Sequence, residues 1–363
     1  MSLTILIISL LSLLFGTDEA EIVFAGDAMM HQGQLDAARR SDGSYDFSSY
    51  FKEIEGYVKT ADYAVVNLET PLANAPYSGY PCFNAPSEYV DALADAGFKM
   101  FLTANNHTLD RHDRGLVRTI DALDARKLDH IGTYKNDSTR LQTIPFLKTI
   151  NNIKVGFLNY TYGTNGIKPG PTVKVDYIDR ELIKKDVEAT RNAGAEIIVA
   201  CVHWGVEYQL LPHSSQRDLA KYLKSLGVEM IIGGHPHVIQ PMELTTDSVP
   251  QLTVYSLGNF ISNMKTRDTR GGAMLRVRIM RDENGKAKIK GATYRLVFTE
   301  PAQGGQNYKL NWAEASADAR SKAFRKAAND VFRKHNKNVS EELIVHLNKA
   351  VGASSANSKS PVK

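Results

Sequence analysis

The sequence predicts an α/β fold in which two packed sheets carry helices on their outer faces. Two observations support this. In the first two thirds, short apolar runs alternate with segments of helical periodicity. In the last third, Val, Ile, Leu and Tyr alternate with polar residues, as in half-exposed antiparallel strands. A third observation concerns function. Gly26-Asp27, Asn67-Leu68-Glu69, Asn105-Asn106-His107, His203-Trp204-Gly205 and Gly234-His235-Pro236-His237 each close an apolar run. In an α/β sheet the carboxyl ends of the strands open onto one shared edge, where ligands bind.

The runs Ile22–Ala25, Tyr63–Val66, Met100–Thr103, Ile197–Val202 and Met230–Ile232 read as buried strands. Between them, Ser87 can cap a helix carrying Val90, Leu93 and Ala94 that stops at Gly97. Leu116, Ile120 and Leu123 mark a second helix, and Asp179 precedes a third that carries Ile183 and Val187 and stops at Gly194. Ser215 and Asp218 read as a capping box for a fourth, ending at Gly227. This alternation predicts βαβ units and a largely parallel sheet. Gln251–Phe260 reads as one strand, and Gly272–Met280 and Lys286–Thr299 as a hairpin turning at Asp282-Glu283-Asn284-Gly285. Beyond Pro301 the polar stretch Gln303–Gln306 reads as a boundary. Phe324, Ala327, Ala328 and Val331 mark a helix after it, Ser340–Val351 reads as a second short helix, and 352–363 as a disordered tail.

Charge is unevenly spread. Residues 315–363 hold ten Lys/Arg against four Asp/Glu, so the rest of the chain carries −2 of the net +4. The basic residues do not alternate with exposed aromatics, which argues against a nucleic-acid groove. Leu3–Phe15 is apolar and too short to span a bilayer, and is read as a signal-peptide core with cleavage within Gly16–Ala20. Export to the periplasm or cell surface is the expectation. Cys82 and Cys201 form no disulfide framework, and the pair is expected to stay unbridged.

Five strand ends carrying Asp, Glu, Asn or His point to a polynuclear metal site. Asp27 lies beside Gly26, which leaves room for an ion, and His31 follows four residues on. Asn67 and Glu69 share one side of an extended chain. Glu69 ends an apolar run, where metal bridging would remove the cost of burying a carboxylate. Asn106 offers a neutral oxygen; His107 can serve as a general acid and Asp110 can orient it. His203, His235 and His237 read as imidazole ligands, with Pro236 keeping the backbone extended so that the last two project alike. Asn105, Glu207, Tyr208 and Asn259 are expected to line the mouth.

In this order, Phe24-Ala25-Gly26-Asp27, Asn67-Leu68-Glu69-Thr70-Pro71-Leu72, Ala104-Asn105-Asn106-His107-Thr108-Leu109-Asp110, His203-Trp204-Gly205-Val206-Glu207-Tyr208, Gly234-His235-Pro236-His237-Val238 and Tyr255-Ser256-Leu257-Gly258-Asn259-Phe260 resemble the CapA family. These are bacterial poly-γ-glutamate capsule biosynthesis proteins within the calcineurin-like metallophosphoesterase superfamily. The resemblance covers about residues 21–300 and leaves 301–351 as a helical extension. It implies a four-layer α/β/β/α sandwich with two divalent ions, Mn, Fe or Zn. One would be held by Asp27, His31, Glu69 and His237, the other by Glu69, Asn106, His203 and His235, with His107 as the acid. The superfamily's first motif is Asp-x-His, whereas here the next His is four residues on, and its bridging Asp is replaced by Glu69.

Two functions are then open. One is an exported hydrolase acting on a phosphoester, or on a γ-glutamyl amide, in capsule or envelope polymer metabolism. The other is a non-catalytic subunit that binds an anionic polymer beside capsule-synthesis membrane proteins.

Overall fold

A computed structural model describes residues 18–342. In chain order its strands are β1 (Glu19–Ala28), β2 (Tyr63–Leu68), β3 (Met100–Leu102), β4 (Asp129–Ile131), β5 (Thr133–Tyr134), β6 (Phe146–Ile150), β7 (Ile153–Thr161), β8 (Lys174–Val175), β9 (Ile197–His203), β10 (Met230–Gly234), β11 (Met242–Leu244), β12 (Leu252–Val254), β13 (Asn259–Ile261), β14 (Gly271–Arg281), β15 (Ala287–Glu300), β16 (Lys309–Trp312) and β17 (Val339–Glu341). A nine-stranded sheet runs β16-β15-β14-β1-β2-β3-β4, with β13 paired to β1 and β17 to β15. A six-stranded sheet runs β11-β12-β10-β9-β7-β6. Both sheets are mixed. β1 to β4 are mutually parallel, as are β7, β9, β10 and β12; β14 runs antiparallel to β1 and β15, β16 to β15, β6 to β7 and β11 to β12, while β17 lies parallel to β15.

Side-chain parity along the central strands shows how the sheets pack. Ile22 and Phe24 of β1 and Tyr63 and Val65 of β2 belong to the same apolar cluster as Phe157, Val199 and Ile231 of the second sheet. Their alternates Val23, Ala25, Ala64 and Val66 face the opposite way, onto Ile54 and Val58 of helix Lys52–Lys59 and Val90 and Leu93 of helix Glu88–Asp95. Burial on both faces is why these strands read as continuous apolar runs. Ile183, Val187, Leu219 and Leu223, from helices Arg180–Asn192 and His213-capped Ser214–Ser225, join the cluster of the second sheet.

Several expectations need correcting. The box on helix Ser214–Ser225 is built by His213 and Gln216, not by Ser215 and Asp218. Gln251–Phe260 is two strands, β12 and β13, separated by a turn in which Gly258 adopts φ +68° and β13 leaves for the other sheet. The hairpin β6–β7 has no counterpart among the expected strands. Residues beyond 300 are not helix alone: β16 extends the large sheet, helix Ala319–His335 buries Phe324, Ala328 and Phe332, and β17 stands where a second helix was expected to begin. The expected signal segment through Thr17, the rest of that second helix and the tail lie outside the described residues. Cys82 and Cys201 are both free. Among the described residues, no helix is long and apolar enough to cross a membrane.

Candidate metal centre

The carboxyl ends of β1, β2 and β3 in one sheet meet those of β7, β9 and β10 in the other. Asp27 is the penultimate residue of β1, with its N–H donating to Gly258 O at 3.0 Å. A Cβ on Gly26 would stand 1.9 Å from that carbonyl oxygen, so no other residue allows this approach. Glu69 follows β2 directly and is tied by its N–H to Ala28 O (3.1 Å). After β3, Asn105 Nδ2 donates to Leu68 O (2.8 Å) and Asn67 Oδ1 (3.3 Å), joining the second and third motifs. A Cβ at Gly234 would come within 2.7 Å of Asp27 Oδ1. His235 and His237 then follow at φ +96° and +56°. Pro236 therefore does not hold an extended segment: the chain passes through two left-handed residues, a strain that persists only where the surroundings enforce it.

Six of the expected ligands converge. Asp27, Glu69 and His203 offer three ligand atoms within 4.8 Å of one another, and so do Glu207, His235 and His237. Asn106 Oδ1 lies 2.8 Å from His203 Nε2. Glu69 Oε1 lies between the groups, 3.7 Å from His203 Nε2 and 3.8 Å from His237 Nε2. It is fully buried and has no hydrogen-bond partner, and His235 Nδ1 is orphaned in the same way. A buried carboxylate oxygen flanked by two imidazoles is an uncompensated charge in a protein alone. A cation compensates it, and carboxylate, imidazole and carboxamide donors suit Mn, Fe or Zn. The residues present thus fit divalent ions.

The remaining candidates surround this core. Asn67 donates to Asp27 Oδ1 at 2.8 Å and so orients a ligand. Asn259 Oδ1 stands 3.0 Å from His237 Nδ1 and holds that ring from below rather than lining the mouth. His107 Nδ1 is 2.7 Å from Asp110 Oδ2, which also accepts from Phe83 N–H at 2.7 Å. His31 caps helix Gln32–Ala38, where its Nδ1 accepts from Asn263 N–H at 3.3 Å and its ring lies 5.2 Å from Phe83. It belongs to neither three-residue group. Tyr208, at φ +67°, is exposed above His237.

Tyr162 and Asn159 went unrecognised in the sequence. Tyr162 lies over His235 with ring centroids 4.5 Å apart, and Asn159 Oδ1 accepts from Ala104 N–H at 2.8 Å beneath the third motif. Both lie at the end of β7, an apolar run whose closing residues obey the same rule as the other five.

Burial works against the Asp27 carboxylate, but the hydrogen bond from His237, the neighbouring imidazoles and Asn67 outweigh it and bring its pKa down to about 2. Glu69 moves the other way: burial, then the charges of Asp27 and Glu207, push it well above the usual carboxylate range. Burial lowers His203 well below an ordinary imidazole, His235 to about 3 and His31 to about 4. These rings are neutral at pH 7, the form in which imidazole ligates a metal.

The family model of the bacterial capsule synthesis protein PGA_cap matches residues 21–264. The capsule biosynthesis protein CapA of Bacillus anthracis is 27% identical over 283 residues, covering 74% of this chain and 66% of that one, so the chain spans just under two thirds of that relative's length. The PGA biosynthesis protein CapA of Bacillus subtilis (strain 168) is 27% identical over 290 residues, covering 76% of this chain and 72% of that one. Among solved structures, the NAD nucleotidase NadN of Haemophilus influenzae is similar at a TM-score of 0.47 and 14% identity, covering 89% of this chain and 64% of that one.

Proposed function

The chain belongs to the PGA_cap family of bacterial capsule synthesis proteins, and from that membership we propose an exported, metal-dependent phosphoesterase-like hydrolase acting in capsule or envelope polymer biosynthesis. The observation that carries the catalytic part is Glu69 Oε1, buried without a partner between His203 and His237. Export rests on the apolar segment Leu3–Phe15.

Asp27, Glu69, Asn106, His203, His235 and His237 would hold two divalent ions, with Glu207 at the outer edge. When bound, such a pair supplies Lewis acidity toward a phosphoryl oxygen and makes water more acidic. The rest falls to the chain itself. The Asp110 carboxylate can only accept, so it keeps a proton on His107 Nδ1 and leaves Nε2 as the ring atom that exchanges a proton with the leaving oxygen. Asn67 and Asn259 fix the ligand side chains before substrate arrives.

The test is metal analysis of the purified protein after supply of Mn²⁺ or Zn²⁺, with an assay across phosphomonoesters, phosphodiesters and γ-glutamyl peptides. About two ions per chain and turnover of a phosphoester that His203→Ala abolishes are expected. A metal content near zero, or inertness toward all three substrate classes, would overturn the reading.

A further inference from the structure

Among the described residues only three aromatic side chains are exposed: Tyr80 (73%), Tyr162 (47%) and Tyr208 (54%). All three stand at the mouth of the same centre, although they come from different segments. Tyr162 follows β7, Tyr208 lies in the loop after β9, and Tyr80 in the loop between β2 and helix Glu88–Asp95. Two stand against an imidazole of the site, and the third reaches one through Phe83. The Tyr162 ring is 4.5 Å from that of His235, and Tyr208 is 6.3 Å from His237. Tyr80 packs at 6.2 Å on Phe83, which in turn lies 4.5 Å from His107.

The backbone holds two of them in place. Tyr162 N–H donates to His203 O at 3.0 Å and Tyr208 N–H to Pro236 O at 2.9 Å. Tyr208 sits at φ +67°, a conformation costly for a non-glycine residue that binding sites tend to retain. Large apolar surface left in water at one place marks an interaction site. A phosphoryl group has no use for it, because its oxygens would be met by the polar side chains of the centre and by the ions they would hold. The flat faces instead offer stacking area to whatever the phosphate is attached to.

We propose that these three tyrosines form a collar that stacks on a ring in the leaving group, so that the substrate is a phosphoester of a cyclic alcohol, either a sugar or a nucleoside. This rests on the phosphoesterase reading above. Hydrolysis by water would break the bond between phosphorus and the ester oxygen, the ring alcohol departing with a proton and phosphate retaining the water oxygen.

The experiment compares binding of glucose 6-phosphate, adenosine 5′-monophosphate and glycerol 3-phosphate to the full chain with Mn²⁺ by calorimetry, alongside turnover of the same three. A ring compound should bind at least tenfold more tightly than glycerol 3-phosphate, equivalent to about 1.4 kcal/mol. Which ring compound prevails separates a sugar from a nucleoside. In Tyr162→Ala and in Tyr80→Ala that ratio should fall toward one, while Tyr162→Phe keeps it; thermal unfolding verifies that each variant is folded. Equal affinity for all three, no binding of any, or a ratio untouched in both alanine variants would overturn the collar. Turnover of glycerol 3-phosphate without ring preference would overturn the collar and leave the hydrolase reading standing. Ring-selective binding without turnover of any phosphoester would do the reverse.

Discussion

Replacing Glu69 by Gln should make the metal-free protein more stable and the metal-loaded protein less so. Gln keeps the volume of the buried side chain and removes only the charge, whose outer oxygen has no partner. In the wild type, burial and the charge of Asp27 push the carboxyl's pKa up and so favour its neutral form. Protonating an ordinary carboxyl at pH 7 costs about 3 kcal/mol, which caps the penalty that the variant relieves. The sign follows from the raised folded-state pKa. The neutral form's stability is complete below the unfolded value of 4.5 and is lost as pH rises, so the gap between variant and wild type widens from about pH 4.5 to 7. With Mn²⁺ at a hundred times its Kd, wild type gains about 2.7 kcal/mol per site, and the variant should gain far less, so the order reverses. Urea unfolding with chelator and with Mn²⁺ reads both arms. If Glu69→Gln costs the metal-free protein more than about 1 kcal/mol and both proteins respond equally to Mn²⁺, Glu69 is a structural acceptor and the bridging role fails.

Ending the chain after Glu300 removes Leu310, Trp312, Phe324 and Phe332, all buried. At about 1.5–3 kcal/mol each, their loss approaches a whole domain's net stability, so the truncated chain should lack a cooperative urea transition. A truncated protein that unfolds cooperatively and still binds Mn²⁺ would make that region an accessory layer. Away from the centre, Arg140 bridges Asp176 and Asp186 at 2.5 Å each, and Tyr134 donates to Asp176 at 2.9 Å. Arg140 is held more firmly protonated by these partners, yet burial outweighs pairing at Asp176 and raises it to about 6. Stability from its neutral form is therefore lost as pH rises from about 4 to 6. Wild type should fall relative to Asp176→Asn across that window, and parallel pH–stability curves would refute it.

Sequence by itself determined the elements whose residues face one environment throughout. β1, β2, β9 and β10 are buried on both faces, so their apolar runs stand out, and a polar residue ending such a run has no packing rationale. That reasoning reached Asp27, Glu69, Asn106, His203, His235 and His237 because a charge at a buried strand end is expensive unless something binds it. The tertiary structure decided what depends on partners distant in the chain. It pairs β16 and β17 with β15, and this pairing makes strand of a segment just past the Gln303–Gln306 boundary and of the start of an expected helix. His31 stands at a helix N-cap, where its Nδ1 accepts from Asn263 N–H, 232 positions along the chain. The left-handed passage through His235 and His237 runs beside Asp27, whose Oδ2 accepts from His235 N–H at 3.2 Å across 208 positions of chain. Tyr162, Tyr208 and Tyr80 are unremarkable in their own segments. They meet because two sheets place the loops after β7, β9 and β2 over one set of imidazoles, and the free energy that holds them there comes from the shared core beneath.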